Sequence, residues 1–280
     1  LRAFVSSRFP SYLVVFLVSR RITMTAMTPQ EIAKKGLVYD MPGTADVLVR
    51  RDLEFTGADG STLAMDMYLP PGERGAPPPV VVLVSGYKDE GALRILGCRF
   101  KEMQSNVSWA RLIAASGMAA VMYTNREPAA DFLAAVSHVQ RSAASLGINA
   151  GRLGLWASSG HGPVALSALL REATVKVTCA ALLYAFTLDL DGGSGVANNS
   201  KQFGFVTPCA GKSVDDLATG VPMFLARAGK DQFAGLNDAM DRFVAKALAA
   251  NLPLTLANYP EGPHAFDLFD AKAHCLDHLL

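Results

Sequence analysis

Arg152-Leu-Gly-Leu-Trp-Ala-Ser-Ser-Gly-His-Gly-Pro163 is the stretch on which the reading of the fold depends. Its first half is apolar and its second half is a string of mostly small residues. A helical pattern over residues 164–171 follows almost at once. A strand that runs into a helix through so tight a turn strains the backbone at its tip. A serine there has its hydroxyl pushed into the open, which is the mechanics behind the G-x-S-x-G pattern. The match here is imperfect. With Ser159 at the tip, Ala157 and His161 stand where the glycines belong; with Ser158, Trp156 and Gly160 do. Ser159 is the better candidate. Ala157 is small, Gly160 follows directly, and Gly162 lets the helix approach the strand. Trp156 suits the strand body, where its ring buries and its N–H finds a partner.

Downstream, residues 175–184, 221–226 and 252–259 read as strands, with a long helix over 233–250. Upstream, 80–84 is a β-branched run and 119–123 a second apolar run, both suited to strands buried on two faces. Helices over 107–116 and 131–146 are each stopped by a glycine, Gly117 and Gly147. Residues 47–55 and 62–69, joined by a turn at 57–60, make a hairpin with Leu63, Met65, Met67 and Leu69 on one buried face. Residues 88–104 and 188–219 have no sustained period and read as irregular, lid-like segments. A last helix opens at His264 or Ala265 and runs to the end of the chain. Strands alternating with helices predict an α/β architecture: a mostly parallel, doubly wound sheet with an antiparallel N-terminal hairpin.

Ligands of such sheets bind beyond the carboxyl ends of the strands. That rule selects Ser159, Asp231 and His264, each just after a strand. Serine is a poor nucleophile at neutral pH. A neutral imidazole must take its proton, and a carboxylate must hold that imidazole in the right tautomer. Each residue has a plainer reading. Asp231 could simply cap the next helix, leaving Asp189 or Asp191 as the acid, and His264 could be a solvated loop residue. His138, His274 and His278 fall in helical patterns and read as surface residues. His161 either lines the site or fills space beside Trp156. An oxyanion needs donors: the Gly160 N–H is one, and the Tyr87 backbone N–H, brought close by Gly86, is the other. Gly86 and His161 are therefore candidate substrate-binding residues.

Three stretches carry a family likeness: residues 152–161, Ala226-Arg-Ala-Gly-Lys-Asp231 and Tyr259-Pro-Glu-Gly-Pro-His-Ala-Phe266. With them the chain, from about residue 47 onward, resembles the α/β-hydrolase superfamily. It is most similar to the dienelactone hydrolase-related and prolyl oligopeptidase-like esterase branches. The resemblance implies an α/β-hydrolase fold, a Ser159/Asp231/His264 triad, and no metal or organic cofactor. Dienelactone hydrolases use cysteine where this chain has serine, so their lactone substrate is not implied. The expected activity is hydrolysis of a small carboxylic ester or related acyl compound. An acyl-peptide or peptidase-like hydrolase and a non-catalytic small-molecule-binding relative are the alternatives.

Composition fits this reading. In 280 residues, 26 Lys and Arg nearly cancel 25 Asp and Glu, which gives no footprint for nucleic acid. Cys98, Cys179, Cys209 and Cys275 are far apart and suggest neither a disulfide framework nor a zinc site. Residues 1–26 read as an extension to one domain over 27–280: an over-extended start, a weak export signal or an anchoring segment. The apolar run at 12–18 is too short for stable membrane insertion. The expected location is cytoplasmic, or outside the cell if the extension is a true signal. Thr28, Pro29 and Glu31 are placed to start a helix with a capping box. The expected partner is a small-molecule ester or acyl substrate, and a homodimer is left open.

Overall fold

Parallel pairing of the β-branched runs is what organises the chain. The computed structural model describes residues 27–39, 41–72 and 75–271. The extension over 1–26, Cys275, His274, His278 and the tail of the expected last helix lie outside the described residues. Eight strands form one sheet: β1 (Leu48–Thr56), β2 (Thr62–Leu69), β3 (Pro79–Leu83), β4 (Ala119–Tyr123), β5 (Asn149–Ser158), β6 (Cys179–Leu183), β7 (Met223–Ala228) and β8 (Leu254–Tyr259). Their spatial order is β1-β2-β4-β3-β5-β6-β7-β8. β1 pairs antiparallel with β2, and β2 antiparallel with β4; every other pair is parallel.

Each face of the sheet is covered. Leu153, Leu155 and Ala157 of β5 point to a core shared with Phe132, Val136 and Phe243, while Trp156 points to a second core with Trp109, Leu112 and Phe266. That alternation follows from the strand period of two. It also explains why β4 is buried along its whole length.

Several expected elements change extent, for identifiable reasons. β2 is buried on both faces from Met65 onward rather than on one. Its Asp66 is fully enclosed because Lys101 reaches in, with Nζ donating to Asp66 at 2.8 Å and to Asp52 at 2.9 Å. Asp52 sits at a register shift of β1 with φ of 51°. This buried ion pair ties the hairpin to the 3-10 turn Phe100–Glu102, so it fixes where Phe100 lies.

The segment 88–104 is not irregular. It carries a helix, Asp89–Leu96, closed by Gly97 in the left-handed region. The segment 188–219 carries a helix as well, Gly195–Phe203, whose first N–H groups are held by the Asp189 carboxylate at 2.9 and 2.8 Å. The helix after the Ser-Ser turn begins earlier and ends earlier than expected, as Gly162–Ser167, because Leu170 leaves to bridge Leu217. The next strand is only Cys179–Leu183, since Tyr184 breaks from it with φ of 37°. The expected 233–250 helix starts at Leu236, after Gly235 turns left-handed, and the last helix is Phe266–Phe269 over the described residues. At the other end, Thr28 accepts from the Glu31 N–H at 3.2 Å and Glu31 accepts from the Thr28 N–H at 2.7 Å, the reciprocal cap expected there.

Candidate active site

β5 delivers Ser159 and the turn behind it strains it. Ser158 is still extended, but Ser159 has φ of 49°, a region non-glycine residues rarely occupy. The chain then passes through a 3-10 turn, Ser159–His161, into the helix Gly162–Ser167. Close approach makes glycine necessary here: a Cβ on Gly162 would lie 2.2 Å from the Phe186 carbonyl oxygen.

The other two selected residues converge on it. His264 Nε2 is 2.9 Å from Ser159 Oγ, and His264 Nδ1 is 2.6 Å from Asp231 Oδ2. The Asp231 side chain is fully enclosed and that of His264 is 10% exposed. Asp231 Oδ1 also accepts from the Phe233 N–H at 2.9 Å, so the carboxylate does make the local bond of its plainer reading, with its other oxygen left for the imidazole. Tyr184 and Phe233 clasp the His264 ring edge-to-face at 4.8 and 4.4 Å. Asp189 and Asp191 are elsewhere engaged, the first at a helix start and the second with Lys246.

The loop after β3 is pinned over the turn. The Ser85 N–H donates to the Tyr123 hydroxyl at 3.1 Å, and the Val206 N–H to the Gly86 carbonyl at 2.9 Å. The Gly86 N–H donates to His161 Nδ1 at 2.7 Å. A Cβ on Gly86 would stand 2.3 Å from the Gly160 carbonyl oxygen, so only glycine lets this loop pass so close to the turn. The Tyr87 side chain also faces the site, which the sequence reading had not anticipated. A Cβ on Gly160 would lie 2.3 Å from the Tyr87 hydroxyl. Burial pushes that phenol well above its usual pKa, with the Ser159 hydroxyl acting the other way, so it keeps its proton.

His161 lines the cavity and packs against Tyr87 and Phe100, each at 5.1 Å, rather than filling space beside Trp156. The expected partner for the Trp156 N–H is missing among the described residues; the ring instead lies against Trp109 at 5.1 Å. His138 is half-buried beside Phe55, not a free surface residue.

Burial lowers the His161 pKa from 6.5 to about 4. In the unfolded chain the ring takes a proton near 6.5, so between that pH and about 4 the unfolded state binds more protons than the folded one. Stability contributed by the neutral ring is therefore whole above pH 6.5 and falls as pH drops toward 4. The loss is on the order of 3 kcal/mol when complete. Urea midpoints measured at neutral and at mildly acidic pH should fall less steeply in His161→Phe than in the wild type, the remainder including His138, whose pKa burial also lowers; equal slopes would refute it.

A cavity of about 550 Å³ opens above Ser159. Aromatic rings are prominent in its walls, among them Phe100, Trp109, Phe186, Phe203 and Phe233. Both segments expected to act as lids contribute walls, through Ala92, Ile95 and Leu96 in the first and Phe203 and Gly204 in the second. Lys88, Glu90 and Arg94 are exposed at its rim, where Lys88 pairs with Glu127. Deeper in, Asp267 is a buried carboxylate that no sequence signal marked. It accepts from the Tyr184 hydroxyl at 2.7 Å and from Trp109 Nε1–H at 2.8 Å, while burial raises its pKa. Among the described residues, no group of three His, Cys, Asp or Glu side chains could hold a metal ion. Nor is any helix there long and apolar enough to cross a membrane.

No protein-family model and no curated protein matches the chain. Solved structures do match it. An α/β-hydrolase enzyme from the metagenome of Lake Arreo, Spain, solved as a Ser-to-Ala mutant, is similar with a TM-score of 0.62 at 21% identity, covering 82% of this chain and 79% of that one. A bacterial heroin esterase is similar with 0.62 at 18% identity, covering 86% and 83%. The esterase LipW from Mycobacterium marinum is similar with 0.62 at 18% identity, covering 84% and 79%. The chain therefore has the α/β-hydrolase fold.

Proposed function

We propose that this chain is a serine hydrolase that cleaves a small, neutral carboxylic ester. Ser159 is the nucleophile, His264 the general base and Asp231 the group that orients the imidazole. The observation that carries the reading is the continuous hydrogen-bonded line from Ser159 Oγ through both His264 nitrogens to the enclosed Asp231 carboxylate. Ser159 Oγ attacks the ester carbonyl carbon while His264 Nε2 takes its proton. Asp231 stabilises the imidazolium that results. Collapse of the tetrahedral adduct expels the alcohol, which receives the proton from Nε2. Water then repeats the sequence on the acyl-enzyme, releasing the acid and restoring Ser159. Each step is proton transfer and acyl transfer, and none requires a metal or an organic cofactor.

The Gly160 N–H and Tyr87 hold the oxyanion. The backbone N–H was the expected donor of Tyr87; its phenol, protonated and beside Ser159, is the stronger claim. Tyr87→Phe should then lower kcat about a hundredfold, as removal of one oxyanion donor does. A loss of only a few-fold in steady-state hydrolysis would return the role to the backbone.

The walls support a neutral substrate. The rim cation Lys88 is already paired, Arg94 is exposed to water, and the Asp267 carboxylate is held by two donors. No buried cation among the lining residues awaits a substrate carboxylate. The resemblance to dienelactone hydrolase-related and prolyl oligopeptidase-like esterases, and the names of the similar solved structures, favour an ester over a peptide. A fluorophosphonate probe tests the reading directly. It should label the protein in one position, and the label should compete with neutral aryl esters that the protein turns over. An unlabelled protein with no ester turnover would leave a binding relative instead.

A further inference from the structure

We propose that His161 selects the acyl part of the substrate, its Nε2–H donating to a neutral oxygen carried one atom beyond the α-carbon of the acyl group. The inference rests on the hydrolase reading above and names its substrate class: short acyl esters with an ether, hydroxyl or keto oxygen, in preference to plain alkyl ones.

The Gly86 amide fixes the proton. A backbone N–H can only donate, and it donates to Nδ1 at 2.7 Å. Nδ1 is therefore unprotonated, and the neutral ring carries its hydrogen on Nε2. The ring is held in place, with Tyr87 and Phe100 edge-to-face at 5.1 Å and the residue only 8% exposed. Nε2 has no hydrogen-bond partner among the described residues, yet it is not one of the sealed, unpaired polar atoms, as Trp156 Nε1 is. It therefore opens on the cavity that His161 lines.

Position supplies the side of the substrate that it meets. His264 must reach the leaving oxygen to protonate it, so the alcohol lies toward His264, Tyr184 and Phe233. The carbonyl oxygen takes Gly160 and Tyr87, so the acyl chain extends on the remaining side, past them, toward Phe100 and His161. Around His161 that wall is aromatic, so an N–H there is left unpaired by an alkyl chain and satisfied by an oxygen. An unpaired donor in such a wall discriminates against the ligand that cannot satisfy it.

The test uses two aryl esters of one phenol, the methoxyacetate and the butanoate, which differ by an oxygen for a methylene. The methoxyacetate is intrinsically the more reactive, so the readout is the methoxyacetate-to-butanoate ratio of kcat/KM compared between enzymes, in which reactivity cancels. In His161→Asn the amide oxygen falls near Nδ1 and still accepts from Gly86, but nothing donates from the Nε2 position. The ratio should fall about five- to tenfold, mostly through KM for the methoxyacetate. His161→Gln puts an amide nitrogen near Nε2 and leaves Gly86 unpaired. It should keep the ratio while kcat drops for both esters. An unchanged ratio in His161→Asn would overturn the proposal.

Should either variant fail to fold, nitrogen-15 NMR of the wild type decides. His161 should be the Nε2–H tautomer, and its Nε2 signal should move with trifluoromethyl methoxymethyl ketone but not with trifluoromethyl propyl ketone. An Nδ1–H tautomer, or equal shifts, would rule the idea out. Failure of the underlying hydrolase reading looks different: the wild type would turn over neither ester, and Ser159 would take no fluorophosphonate.

Discussion

Ser159→Ala is expected to abolish ester turnover and fluorophosphonate labelling, whereas Ser158→Ala keeps both. The two serines are neighbours, but the backbone separates them. Ser158 ends β5 in extended conformation, and Ser159 alone is lifted to φ of 49° with its hydroxyl 2.9 Å from His264 Nε2. Removing the nucleophile of such a unit costs on the order of a millionfold in kcat, about what loss of the whole unit costs. Ser158 lines the cavity without a bond to either His264 nitrogen, so its loss changes a wall. Peptide mass spectrometry of the labelled protein locates the adduct. Finding it on Ser158 would overturn the assignment.

Asp231→Asn should keep the fold and lower kcat on the order of ten thousandfold. The local geometry says why. Asp231 Oδ1 accepts from the Phe233 N–H, so in the variant the amide oxygen stays at that position and the amide nitrogen faces His264 Nδ1. An N–H₂ can only donate there, which makes Nδ1 the acceptor and moves the imidazole proton to Nε2. Nε2 then has no lone pair for the Ser159 proton. Circular dichroism controls for folding, and steady-state rates give the loss. Near-full activity would exclude a role for this carboxylate, and neither Asp189 nor Asp191 could replace it without leaving its present partners.

Much of the sheet could be read in advance because parallel strands buried on both faces need continuous apolar runs, and Val80–Val84, Ala119–Tyr123 and the β5 stretch are such runs. The order of Ser159, Asp231 and His264 at strand ends followed from the same runs. The two lid-like segments were opaque for the opposite reason. The helix Gly195–Phe203 buries only Val196 and Asn199, and it is held by the Asp189 carboxylate and Gly204 rather than by an apolar stripe. Periodicity has nothing to report there. Side-chain direction was also beyond reach. That Tyr87 follows β3 is visible in the sequence, but that its phenol rather than its backbone leans on Gly160 depends on a contact between residues far apart in the chain. The Gly86–His161 bond, spanning 75 positions, is of the same kind. Trp156 shows the limit of reasoning from one group at a time: its ring found Trp109, and its N–H was left without a partner among the described residues.

The left-handed backbone at the site has a practical consequence. Ser159, Tyr184 and Ala265 all have positive φ, at 49°, 37° and 55°, and they are the nucleophile candidate, the ring against His264 and the residue after it. Such conformations cost about 1–3 kcal/mol each, and they persist only because the surrounding structure over-determines them. Under the proposed hydrolase reading, heat tolerance and turnover draw on the same few residues in opposite directions. A campaign for hardier variants should leave this corner alone and work on the far margins, where Leu48, Leu248 and Leu256 already stand in water.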